Sequence, residues 1–132
     1  MVGVDTNVLV RYIAEDDPAQ LRLVDSLIDS VDERHEKLFV NLVSLCELVW
    51  VLDSCYGFTK ADILGALERI LETQQLDVQS RSMVRLAIAD YRAAGADFAD
   101  CLRGRVNTAH GCATTYTLDK RASRLNGYAL LA

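Results

Sequence analysis

Residues 1–17 read MVGVDTNVLVRYIAEDD. The segment VGVD, residues 2–5, predicts a short buried strand, because its valines are β-formers at the length of a strand that crosses a core. TNVLVRYIA, residues 6–14, predicts the start of a helix. Asp5 falls at the junction. Aspartate is depleted in strands and costly to bury without a partner, so an acid set directly behind an apolar run points to chemistry at that spot.

The same alternation continues along the chain. KLFV at 37–40, LDVQ at 76–79, CATTYT at 112–117 and YALLA at 128–132 predict further short strands. Between them lie helical segments with recognisable ends. Asp17 caps a helix with Pro18 at its first position; Ser44 opens one that closes near Gly57; and Thr59 opens another, with Asp62 three residues on. Gly95 stops the next helix, and the last long one runs from Asp97 to Gly111. LDKRASRLNG adds a helical turn. Short apolar strands alternating with helices predict an α/β fold, a three-layer sandwich in which a short parallel sheet is covered by helices on both faces. Ligands of such sheets sit beyond the carboxyl ends of the strands. With 132 residues, 51% hydrophobic and 25% charged, and with neither repeats nor a linker, residues 1–132 are expected to form a single domain.

No cationic stretch followed by an apolar core marks a secretory signal. The most apolar run, LFVNLVSLCELVWVL, is short for a bilayer and carries Glu47 in its middle. A cytoplasmic location with no membrane partner is expected. Cys46, Cys55, Cys101 and Cys112 form no CxxC pair, and His35 and His110 are far apart in sequence, which favours buried reduced thiols over a zinc site. The net charge of −5 opposes a nucleic-acid partner, yet it is unevenly spread. From Cys101 onward Arg103, Arg105, Lys120, Arg121 and Arg124 face a single acid, Asp119, whereas residues 1–100 hold nine basic and eighteen acidic side chains. Such a chain presents either a basic face or a few solvated helix residues.

Five acids can converge on one edge of such a sheet: Asp5 ends the first strand, Glu47 lies one turn into the helix after the second, Asp97 and Asp100 open the helix preceding the fourth, and Asp119 follows the fourth. Carboxylates sharing a small site repel one another unless a cation neutralises them, and an all-oxygen set suits a hard ion, Mg²⁺ or Mn²⁺. Each acid also has a structural reading. Ser44-Leu45-Cys46-Glu47 has the form of a capping box, Asp97 occupies an N-cap position by type and place, and Asp119 is positioned to cap the turn that starts at Lys120. Thr6, Asn7 and Thr117 fit either a supporting polar shell, with Asn7 bonded to Asp5 or to the Ser44 turn, or ordinary turn roles.

Taken together, VDTNVLVRYI, LVSLCELVWVL, GADFADCL and TYTLDK resemble, in order, the motifs of PIN-domain proteins, most closely the VapC-type toxins of toxin–antitoxin pairs, and the resemblance covers essentially the whole chain. It implies a Mg²⁺- or Mn²⁺-dependent endoribonuclease acting on an RNA substrate, a homodimer, and a small antitoxin protein that covers the active site. It assigns the family acids to Asp5, Glu47, Asp100 and Asp119, with Asp97 as an extra acid, Asn7, Ser44 and Thr117 as polar supports, and Arg11 as a basic position. Two departures stand out. Arg103-Gly104-Arg105 replaces the small apolar residues usual after the third motif, and TLD replaces the commoner TFD. With Arg11, the cations Arg103, Arg105, Lys120, Arg121 and Arg124 are the expected RNA contacts. A non-catalytic PIN-fold association module is the alternative. A phosphoacceptor signalling domain fits less well, because the third strand runs into Gln79 and Ser80 where an acceptor aspartate belongs.

Overall fold

The computed structural model describes residues 1–132 and divides them into two compact units, Met1–Gln79 and Ser80–Ala132. In the first unit the order is β1 (Val2–Val4), α1 (Thr6–Ala14), α2 (Pro18–Glu33), β2 (Leu38–Val40), α3 (Leu42–Tyr56), α4 (Lys60–Glu72) and β3 (Leu76–Val78). In the second it is α5 (Arg81–Ala93), α6 (Phe98–Ala109), β4 (Thr115–Thr117), a 3₁₀ turn (Ala122–Arg124) and β5 (Tyr128–Leu130). The expected α/β class and short parallel sheet are present. The strands are hydrogen-bonded as two parallel ladders, β1-β2-β3 and β4-β5.

In the three-stranded ladder Val2, Leu38 and Leu76 stand side by side, as do Val4, Val40 and Val78. Side chains alternate along a strand, so these six share one face and Gly3, Phe39 and Asp77 share the other. The apolar face meets the helices: Val4, Leu38 and Leu76 line a cavity of about 10 Å³ together with Val8, Leu9 and Tyr12 of α1 and Val24 and Ile28 of α2. Both crossovers step the same way across the ladder, and α1 and α2 lie against that apolar face. Leu45, Leu48 and Leu52 of α3 recur at helical spacing and are fully buried, as are Leu67 and Ile70 of α4. In the second unit α5 packs on α6, where Tyr91 meets Phe98 edge-to-face with ring centroids 5.9 Å apart.

The strand-to-helix junctions are the tightest features of the first unit. A single residue, Asp5, separates β1 from α1, and a single residue, Asn41, separates β2 from α3. β3 ends at Val78, and Gln79 follows. Because Val4, Val40 and Val78 are in register, Asp5, Asn41 and Gln79 form a polar row along the carboxyl edge of the ladder. Asn41 Oδ1 accepts from the N–H groups of Val43 (2.7 Å) and Ser44 (3.3 Å), and Gln79 Oε1 accepts from Leu42 N–H at 3.0 Å.

Several predicted boundaries are corrected. β1 ends at Val4 rather than at residue 5, and β3 at Val78 rather than at 79. α3 starts two residues before Ser44 and is capped by Asn41. An unbroken apolar run from Leu38 to Val43, interrupted only by Asn41, conceals the point where the strand stops. The other starts match: Asp17 caps α2 ahead of Pro18, and Thr59 and Asp62 make both bonds of a capping box on α4. No disulfide joins the cysteines, but only Cys101 is buried; Cys55 and Cys112 are exposed, against the expectation of buried thiols. No helix is long and apolar enough to cross a membrane.

Replacing an N-cap by alanine costs about 1 kcal/mol, while a serine inside a helix contributes little. Asn41→Ala is therefore expected to lower the thermal midpoint by several degrees and Ser44→Ala to leave it within about a degree, as read by circular-dichroism melting.

Candidate active site

Asp5 is exposed, in extended backbone (φ −96°, ψ −178°), and its Oδ1 accepts from Val8 N–H at 3.2 Å. It is the N-cap of α1, a structural role the strand reading did not anticipate. One oxygen serves the cap; the other makes no hydrogen bond. Asn7 is exposed on α1 and its side chain bonds neither Asp5 nor the Ser44 turn, so the expected support from Asn7 is absent.

Glu47 is exposed on the second turn of α3 and makes no hydrogen bond or ion pair. The capping-box reading fails because Ser44 lies inside the helix and Asn41 has already taken its first N–H groups. Ser44 is half-buried there. Helix capping therefore gives no reason for an acid at position 47.

Asp97 stands at the N-cap position of α6 (φ −69°, ψ 151°), yet its side chain makes no capping bond and is exposed. Asp100 lies in the first turn of the same helix, three residues on, so the two carboxylates share a face. Asp100 Oδ1 accepts from Arg103 Nη1 at 2.6 Å, with the acid 20% and the arginine 55% exposed. The backbone carbonyl of Asp100 accepts from the hydroxyl of Tyr128 at 2.7 Å. That phenol is pushed up from its ordinary pKa, chiefly by burial, against the opposing pull of Arg103. Burial works against the Arg103 charge, but the bonds to Tyr128 and Asp100 outweigh it and hold the guanidinium above its ordinary value. Gly104 makes this arrangement possible: a Cβ there would stand 2.7 Å from Cε2 of Tyr128. Tyr128 carries no signal in the sequence, and Gly104 stands out there only as part of the Arg103-Gly104-Arg105 departure, since only tertiary packing lays the ring across α6.

Asp119 follows β4, and its Oδ1 accepts from the N–H groups of Arg121 (2.8 Å) and Ala122 (3.4 Å), bracing the turn as a cap would, but the 3₁₀ helix starts at Ala122 with Arg121 at its N-cap, not at Lys120. Thr117 Oγ1 accepts from Asp119 N–H at 3.0 Å, so Thr117 does support this acid.

Most of the expected RNA-facing cations are tied down within the chain. Arg11 pairs with Asp16 at 2.8 Å and donates to the Tyr56 hydroxyl at 3.0 Å. Its guanidinium is held above its ordinary pKa, first by the Tyr56 bond, while Asp16 is held below its ordinary value, first by the Tyr56 bond and then, against desolvation, by Arg11. Arg105 makes a two-bond fork on Asp90 at 2.7 and 2.8 Å, and the Arg121 guanidinium donates to the Gly95 carbonyl from Nε (3.0 Å) and from Nη2. Lys120 and Arg124 are exposed and make no ion pair. The basic character of the C-terminal third is therefore carried outward by fewer side chains than the sequence suggests.

No group of three or more His, Cys, Asp or Glu side chains is gathered to hold a metal ion. What the structure does bring together is the pair Asp97 and Asp100 on one helical turn. Asp5 and Glu47 in the first unit and Asp97 in the second each expose a carboxylate, the oxygen donor type that hard divalent cations such as Mg²⁺ or Mn²⁺ take.

Residues 2–128 match the family model of the PIN domain. The chain belongs to the PIN domain family. The matched span begins in β1, ends at the first residue of β5 and takes in Asp5, Glu47, Asp97, Asp100 and Asp119 of this PIN domain. A VapC ribonuclease of Aquifex aeolicus (strain VF5) is 28% identical over 99 residues, which cover 75% of this chain and 73% of that protein. No solved structure matches.

The contact at Gly104 is testable. Gly104→Ala gains helix propensity of about 1 kcal/mol but forces the Tyr128 ring away, an overpacking cost of about 1–3 kcal/mol. A net loss of about 1 kcal/mol is expected in denaturant unfolding, and Gly104→Ala combined with Tyr128→Ala should recover part of it.

Proposed function

We propose that this PIN domain is a divalent-metal-dependent endoribonuclease, the toxin of a VapBC-type toxin–antitoxin pair, working in the cytoplasm. The observation that carries this reading is the likeness to a VapC ribonuclease across three quarters of the chain. Two acids without a structural task support it: Glu47 bonds nothing, and Asp97 sits at a cap position without capping.

In this reading Asp5, Glu47, Asp100 and Asp119 bind the Mg²⁺ or Mn²⁺ ion, with Asp97 as a further ligand, and Thr117 is the polar support of Asp119. The bound ion supplies an activated water and offsets the charge that develops on the phosphodiester. Asp119 contributes by orientation: its Oδ1 is held by two backbone N–H groups, which leaves the second oxygen directed by that turn to accept a proton from the attacking water. Thr117 fixes the turn. Lys120 and Arg124, free of internal ion pairs, draw in the RNA backbone that the acids would otherwise repel; Arg11, Arg105 and Arg121 contribute to that attraction only through the field around their internal partners. The partners are an RNA substrate, a small VapB-type antitoxin covering the acids, and a second copy of the chain in a homodimer.

The test is cleavage of structured RNA by antitoxin-free protein with Mg²⁺, with Mn²⁺, and with a chelator. Metal-dependent cutting is expected, and Asp5→Asn or Asp100→Asn should each reduce it by more than about 100-fold, beyond the loss typical of a residue that merely supports a ligand. Cutting at the wild-type rate by either variant removes that acid from the site. Asp97→Asn should cost less; an equal loss makes Asp97 a full ligand. No cleavage by folded protein under any condition favours the association module instead.

A further inference from the structure

We infer that Arg103 is a built-in counter-ion for Asp100, holding the place of a divalent cation in the metal-free protein and turning to the RNA phosphate once the cation binds. This rests on the proposal that Asp100 is a metal ligand.

The geometry separates two neighbouring arginines on α6. Arg105 grips Asp90 with two parallel bonds, a fork that fixes both side chains. Arg103 instead makes no fork on its acid: Nη1 bonds a single oxygen of Asp100, and the guanidinium shares a second bond with the Tyr128 hydroxyl. The acid is the sheltered partner and the cation the exposed one, at 20% against 55%. Rotation of the arginine into solvent therefore uncovers the carboxylate without opening the core. Nothing else in the second unit forms an ion pair with Asp100.

Electrostatics gives this pair a reason. Asp97 and Asp100 share the first turn of α6, and with no cation present their like charges oppose one another. A guanidinium at position 103 relieves that opposition with one positive charge; a divalent ion supplies two. The exposed, single-bond pair is of the kind worth little in water, so it yields readily. Tyr128 keeps the exchange local. Its hydroxyl is fixed on the Asp100 carbonyl, and its ring lies on Gly104. The turn that carries Asp100 therefore stays in place while Arg103 moves.

The test uses calorimetric titration of Mn²⁺ into the metal-free full-length protein, alongside RNA kinetics. Arg103→Gln is expected to bind Mn²⁺ about three- to fivefold more tightly, because the competitor is gone. In the same variant the KM for structured RNA should rise severalfold, with its salt dependence flattened by about 0.7 in the log–log slope, the share of one phosphate contact. Arg103→Lys, which keeps the charge, should retain wild-type Mn²⁺ affinity. A merely structural arginine would weaken metal binding when removed, the opposite sign. Unchanged or weaker Mn²⁺ binding by Arg103→Gln overturns the inference if Asp100→Asn has lost Mn²⁺ binding in the same experiment. If Asp100→Asn binds Mn²⁺ as the wild type does, Asp100 is not a ligand and both the inference and that part of the proposed site fall.

Discussion

Every strand of the first ladder that turns straight into a helix must satisfy the orphan N–H groups of that helix within one residue. With a single residue between Val4 and Thr6, and another between Val40 and Leu42, only a side chain that accepts hydrogen bonds at short range can do so. Asp5 and Asn41 meet this demand, and Gln79 meets it from the next strand by reaching to Leu42 N–H. Register then lines these three up along the carboxyl edge. The helix dipoles that begin there favour negative charge, so the edge that closes the fold is also one where an acid such as Asp5 is well placed. Capping and chemistry are not rival explanations at this position: one oxygen is used by the helix, and the other is left over.

The second unit solves a different problem. Its α6 begins with two acids and then carries Arg103, Gly104 and Arg105 in immediate succession. Glycine in a helix interior is unfavourable, and here the cost is met by letting Tyr128 lie against the helix backbone and reach the Asp100 carbonyl. The flanking arginines point to different partners, one on the same helix and one on α5. Positive charge in this region is consequently matched by negative charge at close range, and the balance of five cations to one acid after residue 101 overstates what solvent meets.

Local signals in the chain were reliable where both halves of the signal lie within a few residues. Asp17 followed by Pro18, and Thr59 with Asp62, are helix starts whose bonds span three positions, and both are present as read. The reading failed at Ser44, where a pattern of the right form, serine then glutamate three residues on, competed with a plain asparagine three residues before the helix-opening expected there. Pattern alone could not rank them, because Asn and Ser are nearly equal caps; the end of β2 decided in favour of Asn41. Asp97 shows the converse, a residue of the right type in the right place whose side chain makes no capping bond.

The sequence by itself determined the alternation of strands and helices, the α/β class, the family, and which acids follow strands, because each of these depends on side-chain type at short spacing. Only the tertiary structure decided which of those acids and cations are spoken for. Asp16 with Arg11 and Tyr56, Asp90 with Arg105, and Tyr128 with Asp100 join residues from 5 to 45 positions apart. Such partners are chosen by where the backbone brings elements together, and a hydrogen bond or ion pair forms only within a few ångströms.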